Sequence, residues 1–365
     1  MPLDRALTTF SAQSDRDILF TPGVVAGLRS RAVSGRLDST QALTGLLQGS
    51  GLTWRDFQGH FLIERAPSAK GGEVVADVEG VVVTALRRPT LEQLTPMSMR
   101  ALSGDELRRA GAATFEDAVA MLPGLTQTST GVGRSRLSLR GVYGSGEATT
   151  ALYYDDVPVT GPSGTTADPG GSFPEFLLVD VQQIELLRGP QGTLYGASAM
   201  GGAFKVMFNR PDLATSSVTL EAEASVNDGA VGDAQTIIVN QPLVGDKLGL
   251  RLAAYRRAEP PFARNARLGL SRTNASQAKG FRLGVGAQPT EDFQLNLTLA
   301  HQEATDDDTG AGALGGPAHV SENYMRTPFE SRMTLYDGSA NWRAGGVHVT
   351  AMAAGYRWDS IRQIE

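Results

Sequence analysis

Val181-Gln182-Gln183-Ile184-Glu185-Leu186-Leu187-Arg188-Gly189-Pro190-Gln191-Gly192-Thr193-Leu194-Tyr195-Gly196 is the stretch on which the fold of this chain turns, and it runs on through Ala197-Ser198-Ala199-Met200-Gly201-Gly202-Ala203-Phe204-Lys205-Val206. The apolar start predicts a strand, Gly189-Pro190 a turn, the following glycines a tight loop, and Ala203 to Val206 the next strand. Such a loop resembles a phosphate cradle, but it lacks the Gly-Lys-Ser/Thr ending of a P-loop and the helix that should follow one. Glu185 and Arg188 are candidates for buried ion pairing, because burying either alone is costly. An exposed salt bridge of little value fits the same residues.

Upstream, Ser103-Gly104-Asp105-Glu106 has the spacing of a capped helix start, and a second helix from Thr114 to Met121 stops at Pro123-Gly124. Short strands are predicted over Arg136 to Gly141 and Ala151 to Val159, with Gly131, Gly133, Gly144 and Gly146 in the loop between.

Downstream the pattern changes to a period of two. Val218, Leu220, Ala222 and Ala224 alternate with Thr219, Glu221 and Glu223, and the alternation returns in Leu248 to Ala254, Phe281 to Ala287, Phe293 to Leu299 and Val347 to Ala353. Seven segments are predicted: 217–226, 234–242, 247–257, 279–288, 292–303, 332–342 and 346–357. Soluble β-sandwich strands share this alternation. The connections favour a membrane barrel, since Val244-Gly245-Asp246 and Pro289-Thr290-Glu291 are short whereas 258–278 and 304–330 are long and polar. So few strands cannot close a plugged barrel of roughly 22, which leads to the expectation that the natural protein continues beyond Glu365 or that the frame is truncated. Asp306-Asp307-Asp308 reads as a solvated outer loop.

At the other end, Leu3, Ala6, Leu7 and Phe10 share a helical face, Asp17 to Phe20 reads as a strand, and Ser39 or Thr40 is placed to cap a helix carrying Ala42, Leu43, Leu46 and Leu47. Leu52 to Phe57 and His60 to Arg65 predict a hairpin. Pro67 to Gly72 is a flexible linker, and Val81-Val82-Val83-Thr84 after it is a β-branched run able to add to another protein's sheet edge. An ordinary strand of the next domain is an equal reading of that run taken alone.

Composition excludes several functions. There is no Cys, and His60, His301, His319 and His348 lie far apart without metal-ligand spacing. A net charge of -6 with scattered Lys and Arg asks for no nucleic acid. No run of about 18 apolar residues predicts a membrane helix, and no basic-then-apolar export signal follows Met1. No nucleophile and base stand together, so no catalytic residue, metal or cofactor is assigned.

The stretch from Val181 closely resembles the plug signature of TonB-dependent outer-membrane receptors. Leu122-Pro123-Gly124-Leu125, Leu137 to Gly141 and Leu152 to Val159 are similar to that family's three earlier plug blocks, in order. The resemblance implies a multi-domain chain: a small α+β signalling domain over 1–67, a linker with a TonB box over 68–86, an α/β plug over 87–211, and the first strands of an incomplete antiparallel transmembrane β-barrel over 212–365. It implies that Val81, Val82, Val83 and Thr84 pair with the C-terminal domain of TonB, driven by its inner-membrane partners. It also implies structural plug roles for Arg140, Gly141, Asp155, Glu185, Arg188, Gly189, Pro190, Gly192, Tyr195, Gly196, Gly201 and Gly202. Residues 1–67 resemble the short N-terminal domain of secretins and some receptors, which signals to an anti-sigma regulator.

The implied setting is the outer membrane, with lipid around the barrel, residues 1–86 in the periplasm and a small nutrient ligand, most commonly an iron siderophore. Because that N-terminal domain usually follows a signal peptide, Met1 reads as a misplaced start or a fragment edge. Two departures stand out: Asp156 where glycine is usual, and Lys205-Val206-Met207-Phe208-Asn209-Arg210-Pro211 as a variant ending. Rival readings are a ligand-sensing signal transducer, a soluble carbohydrate-active enzyme, which needs two convergent carboxylates, and a non-functional fragment.

Overall fold

The computed structural model describes residues 1–365 apart from 15, 21, 26, 36, 58–59, 66–81, 85–89, 92–94, 96, 130–134, 143–147, 160–172, 197, 228, 309–318, 345–346 and 364–365. It divides into two units, Met1–Ala101 and Leu102–Glu365.

The first unit begins with α1 (Leu3–Ser14), β1 (Ile18–Leu19), α2 (Pro22–Val25), α3 (Ser39–Leu47), β2 (Leu52–Phe57) and β3 (His60–Arg65). The expected hairpin forms between β2 and β3, and β1 joins it parallel to β3. The helices bury Leu3, Leu7, Leu43 and Leu47 against Phe61 and Ile63 of that sheet, the α+β arrangement that helical spacing beside alternation predicts. One detail differs. Asp38, not Ser39 or Thr40, caps α3, its carboxylate accepting from Gln41 N–H at 2.7 Å. A carboxylate one residue earlier satisfies the same orphan donor and also meets the positive end of the helix dipole. Farther along, β4 (Val82–Val83) and β5 (Thr90–Leu91) form a short antiparallel ladder.

The second unit opens with β6 (Met99–Ser103), which crosses the division, followed by α4 (Gly104–Arg109) and α5 (Phe115–Ala120). Both helices start in full capping boxes, Ser103 with Glu106 and Thr114 with Asp117. Then come β7 (Leu125–Ser129) and β8 (Ser135–Leu139), a hairpin, β9 (Thr150–Tyr154), β10 (Val157–Val159), β11 (Val181–Arg188), α6 (Gly192–Tyr195) and β12 (Gly202–Phe208). Their main sheet has the order β10-β9-β12-β11-β6. Two local expectations are corrected. Ala151 to Val159 is two strands rather than one, because Asp155, with φ 49°, turns the chain between them. The loop after Pro190 contains one helical turn, closed by Tyr195 N–H on the Gln191 carbonyl at 2.9 Å and ended by Gly196 at φ 69°.

Beyond Phe208 the chain builds a wall. Strands β13 (Ser217–Asn227), β14 (Ala230–Val244), β15 (Leu248–Glu259), β18 (Ser276–Thr290), β19 (Phe293–Asp306), β21 (Phe329–Ala344) and β22 (Val347–Arg362) form an open antiparallel sheet in that order. The seven expected segments are all present and mostly longer. In the long connections β16 (Ala263–Asn265), β17 (Leu270–Thr273) and β20 (Val320–Ser321) make a separate small sheet.

The wall is inside-out relative to a soluble sheet. Along β21 the buried face carries Ser331, Asp337 and Ser339 beside Met333 and Leu335, while Tyr336 and Trp342 are exposed. Leu297, at 45% exposed, and Phe281, Leu252 and Ile237 lie open on the same outer face. In water so much contiguous apolar surface is unfavourable, whereas hydrocarbon is its natural solvent. The polar face is buried because residues from the preceding domain pack on it, and Ala300, Met333 and Leu335 of the wall share one core with Phe115, Ile184 and Phe204. No described helix is long and apolar enough to cross a membrane.

The acidic run at 306–308 is not the solvated loop expected. Asp306 and Asp308 are buried, and Asp308 accepts from both the N–H and the hydroxyl of Thr327, at 3.1 and 2.9 Å. Both bonds end on Oδ1 and offset part of the cost of withdrawing the carboxylate from water.

Candidate functional site

The signature strand β11 lies between β12 and β6 in the plug sheet, antiparallel to β12, with Glu185 directly opposite Lys205. Glu185 is fully buried and accepts from Gln183 Nε2 at 2.6 Å. Arg188, three residues on, faces the other side and donates to the Pro123 carbonyl at 3.2 Å. Strand geometry therefore sends the two residues to different partners.

The glycine turn is fixed by backbone bonds. Gly189 N–H donates to the Gly201 carbonyl at 2.9 Å, and Gly201 N–H to Thr149 at 2.7 Å. Gly202, at φ 152°, has no room for a side chain: a Cβ would lie 2.1 Å from the Leu187 carbonyl oxygen. Pro190 and Gly192 are exposed between these anchors, and Tyr195 is buried edge-on to Tyr153, whose hydroxyl donates to the Tyr195 carbonyl at 2.6 Å. Arg140, at φ 53°, and Gly141, at φ 72°, turn the chain after β8, where Arg140 N–H donates to the Gly124 carbonyl. Asp155 ties the β9–β10 turn to β12 by accepting from Phe208 N–H at 3.0 Å. Burial pushes its carboxyl up from the usual range, and that bond pulls it back.

The residues that seat the plug on the wall lie just before the signature. Asp180, at φ 53°, projects its carboxylate between two inward-facing arginines on neighbouring strands. Arg251 of β15 grips it with two bonds of 2.8 and 2.6 Å, and Arg282 of β18 adds one of 3.0 Å. Arg282 also donates to the Val179 and Asp180 carbonyls and lies 4.0 Å over the Phe208 ring. Burial raises the Asp180 carboxyl, but the two guanidiniums and the Asn209 amide outweigh it and hold the group below its usual range. Gln302 of β19 makes a second clasp, receiving Leu177 N–H at 2.9 Å and donating to the Glu175 carbonyl at 2.6 Å. Segment 175–180 is thus held on three wall strands by charge-assisted and polar bonds.

Segment 175–180 thus seats the domain of the glycine-turned strand on the polar inner face of an outwardly apolar sheet, and comparisons with known proteins find the same fold. Residues 92–203 match the TonB-dependent Receptor Plug Domain. That stretch is a plug domain of the TonB-dependent receptor kind. The chain is 27% identical over 229 residues to the ferripyoverdine receptor of Pseudomonas aeruginosa, covering 57% of this chain and 27% of that protein. It is 36% identical over 141 residues to the pesticin receptor of Yersinia pestis, covering 37% of this chain and 20% of that protein. The solved ferripyoverdine receptor of the P. aeruginosa outer membrane, bound to ferripyoverdine, superimposes with a TM-score of 0.62 at 18% identity, over 94% of this chain and 44% of the other. The chain spans about a quarter of the length of the curated relatives it matches. Its wall is accordingly part of an outer-membrane β-barrel, not closed by the seven strands described.

Of the TonB-pairing candidates in this receptor chain, Val81 lies outside the described residues. Val82 and Val83 are register partners of Leu91 and Thr90, and Val83 and Thr84 are buried. The described part of the run is thus paired within the chain, as in the ordinary-strand reading of its sequence. Asp180, Arg251, Arg282 and Gln302 were not singled out from sequence. A usable signal existed for the arginines: each lies on the strand face opposite the lipid-side residues, where a cation that becomes buried calls for a carboxylate partner.

Proposed function

We propose that this chain acts in TonB-dependent uptake of a siderophore-like or other bulky nutrient across the outer membrane. The C-terminal domain of TonB captures Val81, Val82, Val83 and Thr84, with residues 1–86 in the periplasm, and pulling remodels a plug spanning 87–211. The observation that carries the reading is the Asp180 clasp, since charged and polar bonds can be broken under load and remade, whereas a continuous apolar seal could not re-form as selectively. The name of one relative, a ferripyoverdine receptor, supports an iron-chelate ligand class. The compact α+β fold of residues 1–65 supports a second role, relay of the bound state to an anti-sigma regulator. Nothing in this cycle makes or breaks a covalent bond.

The test is Val82→Pro, which removes a ladder donor from the pairing segment. TonB crosslinking and uptake should be lost while ligand binding at the cell surface is kept. Undiminished crosslinking and uptake would remove the assignment of Val81–Thr84 as the segment that TonB captures.

A further inference from the structure

On the outer face of the wall, charge is confined to the end that bears the long connections. Gln235, Arg256, Lys279, Glu303, Arg332 and Asp359 are successive register partners across six strands. From Lys279 onward the signs alternate, with Lys279 3.0 Å and Arg332 3.4 Å from Glu303. Arg256 and Lys279 break the alternation: two cations stand directly opposite each other on β15 and β18. Like charges in that relation repel. Their carboxylate partners lie on the far sides, Asp233 for Arg256 at 2.5 Å and Glu303 for Lys279, and both cations remain open, at 45% and 69% exposed. Toward the middle of the wall, Leu220, Ile237, Ala254 and Phe281 line an open groove with the two cations at its rim.

An anion straddling the pair would turn the repulsion into attraction, and an apolar chain would fit the groove. Long connections of such barrels face outside the cell, so the pair sits at the outer-leaflet headgroup level, where basic residues meet phosphate. We propose that this groove holds one phosphorylated glycolipid of the outer leaflet, its phosphate between Arg256 and Lys279 and an acyl chain on Leu220, Ile237, Ala254 and Phe281. The site uses only wall strands, so it stands or falls independently of TonB coupling and uptake.

The test is lipid retention by the detergent-purified receptor in native mass spectrometry. The probes are lipid A with its phosphates, the same lipid after enzymatic dephosphorylation, and phosphatidylglycerol. Phosphorylated lipid A should be retained selectively, and the double variant Arg256→Gln/Lys279→Gln should weaken it on the order of 30-fold. The charge-keeping exchange Arg256→Lys/Lys279→Arg should preserve retention, and Arg332→Gln, in the alternating part of the row, should change it little. Equal retention of dephosphorylated lipid A or phosphatidylglycerol, full retention by the double variant, or an equal loss in Arg332→Gln would each overturn the proposal.

Discussion

Lys205 Nζ lies 3.3 Å from Asp156 Oδ1, so the two places where this plug departs from its family's common pattern meet as an ion pair. Asp156 is tolerated because the left-handed residue of the turn is Asp155, not Asp156, so no glycine is required there. Both partners are largely buried, at 4% and 17% exposed, and Lys205 also stands opposite buried Glu185. Lys205→Met should therefore cost about 3 kcal/mol. Adding Asp156→Asn should cost less than the sum of the single changes, by about 1 kcal/mol or more. Urea unfolding of the four proteins of the cycle measures this coupling, and strict additivity would show that the pair does not act as a unit.

The Asp180 clasp makes a prediction with a pH sign. Asp180→Asn leaves Arg251 and Arg282 facing a neutral amide, which should destabilise the plug by about 3 kcal/mol at neutral pH and raise hydrogen exchange over 175–180. The folded carboxyl is held below its unfolded value, so its contribution is fully present above about pH 4 and drains away as pH falls through the folded value. Wild type and variant should converge in acid. Urea melts at neutral pH and near pH 3 compare them, and a constant gap would mean that the carboxylate charge is not what holds the turn.

The fold was more legible than the site because alternation and capping are local signals. Ser103 with Glu106, Thr114 with Asp117, and the alternating wall strands each declare their structure within a few residues. The clasp is not local. Asp180 meets Arg251 and Arg282 only after the chain has travelled 71 and 102 positions, and nothing around Asp180 distinguishes it from a surface turn residue. The cap of α3 was misplaced by one residue because Asp38, Ser39 and Thr40 are all good caps, and only the bond to Gln41 decides among them. The Val82–Val83 ladder fits the ordinary-strand reading of that run, but its partner was not foreseen, since a strand of two residues carries no periodicity.

Glu175 offers a second titration of opposite sense. Burial pushes its carboxyl up to about 7, Glu116 adds repulsion, and a bond from Ser135 only partly opposes them. A carboxyl whose folded value lies above its unfolded value of about 4.3 costs stability as pH rises between the two. Glu175→Gln should therefore stabilise the receptor by about 1–2 kcal/mol at pH 7.5, the group being partly open to solvent, and leave it unchanged near pH 4. Thermal melting across that range is the check, and a variant that loses stability at neutral pH would show that ionised Glu175 is needed for packing against Gln127, 3.3 Å away.

Because Val82 and Val83 are already paired with Leu91 and Thr90, capture of this segment by another sheet competes with an internal ladder of two residue pairs. So short a ladder is weak, which suits a segment that must be released, yet it still sets a threshold. Leu91→Pro removes a donor from the partner strand and leaves Val81–Thr84 chemically intact. If the ladder holds the segment closed, the variant should bind the C-terminal domain of TonB a few-fold more tightly, by roughly the 0.5–1 kcal/mol of a cross-strand pair. Val82→Pro should abolish the same binding. Isothermal titration with the purified TonB domain separates the cases: equal weakening by both substitutions would mean that TonB recognises the intact ladder rather than the freed strand.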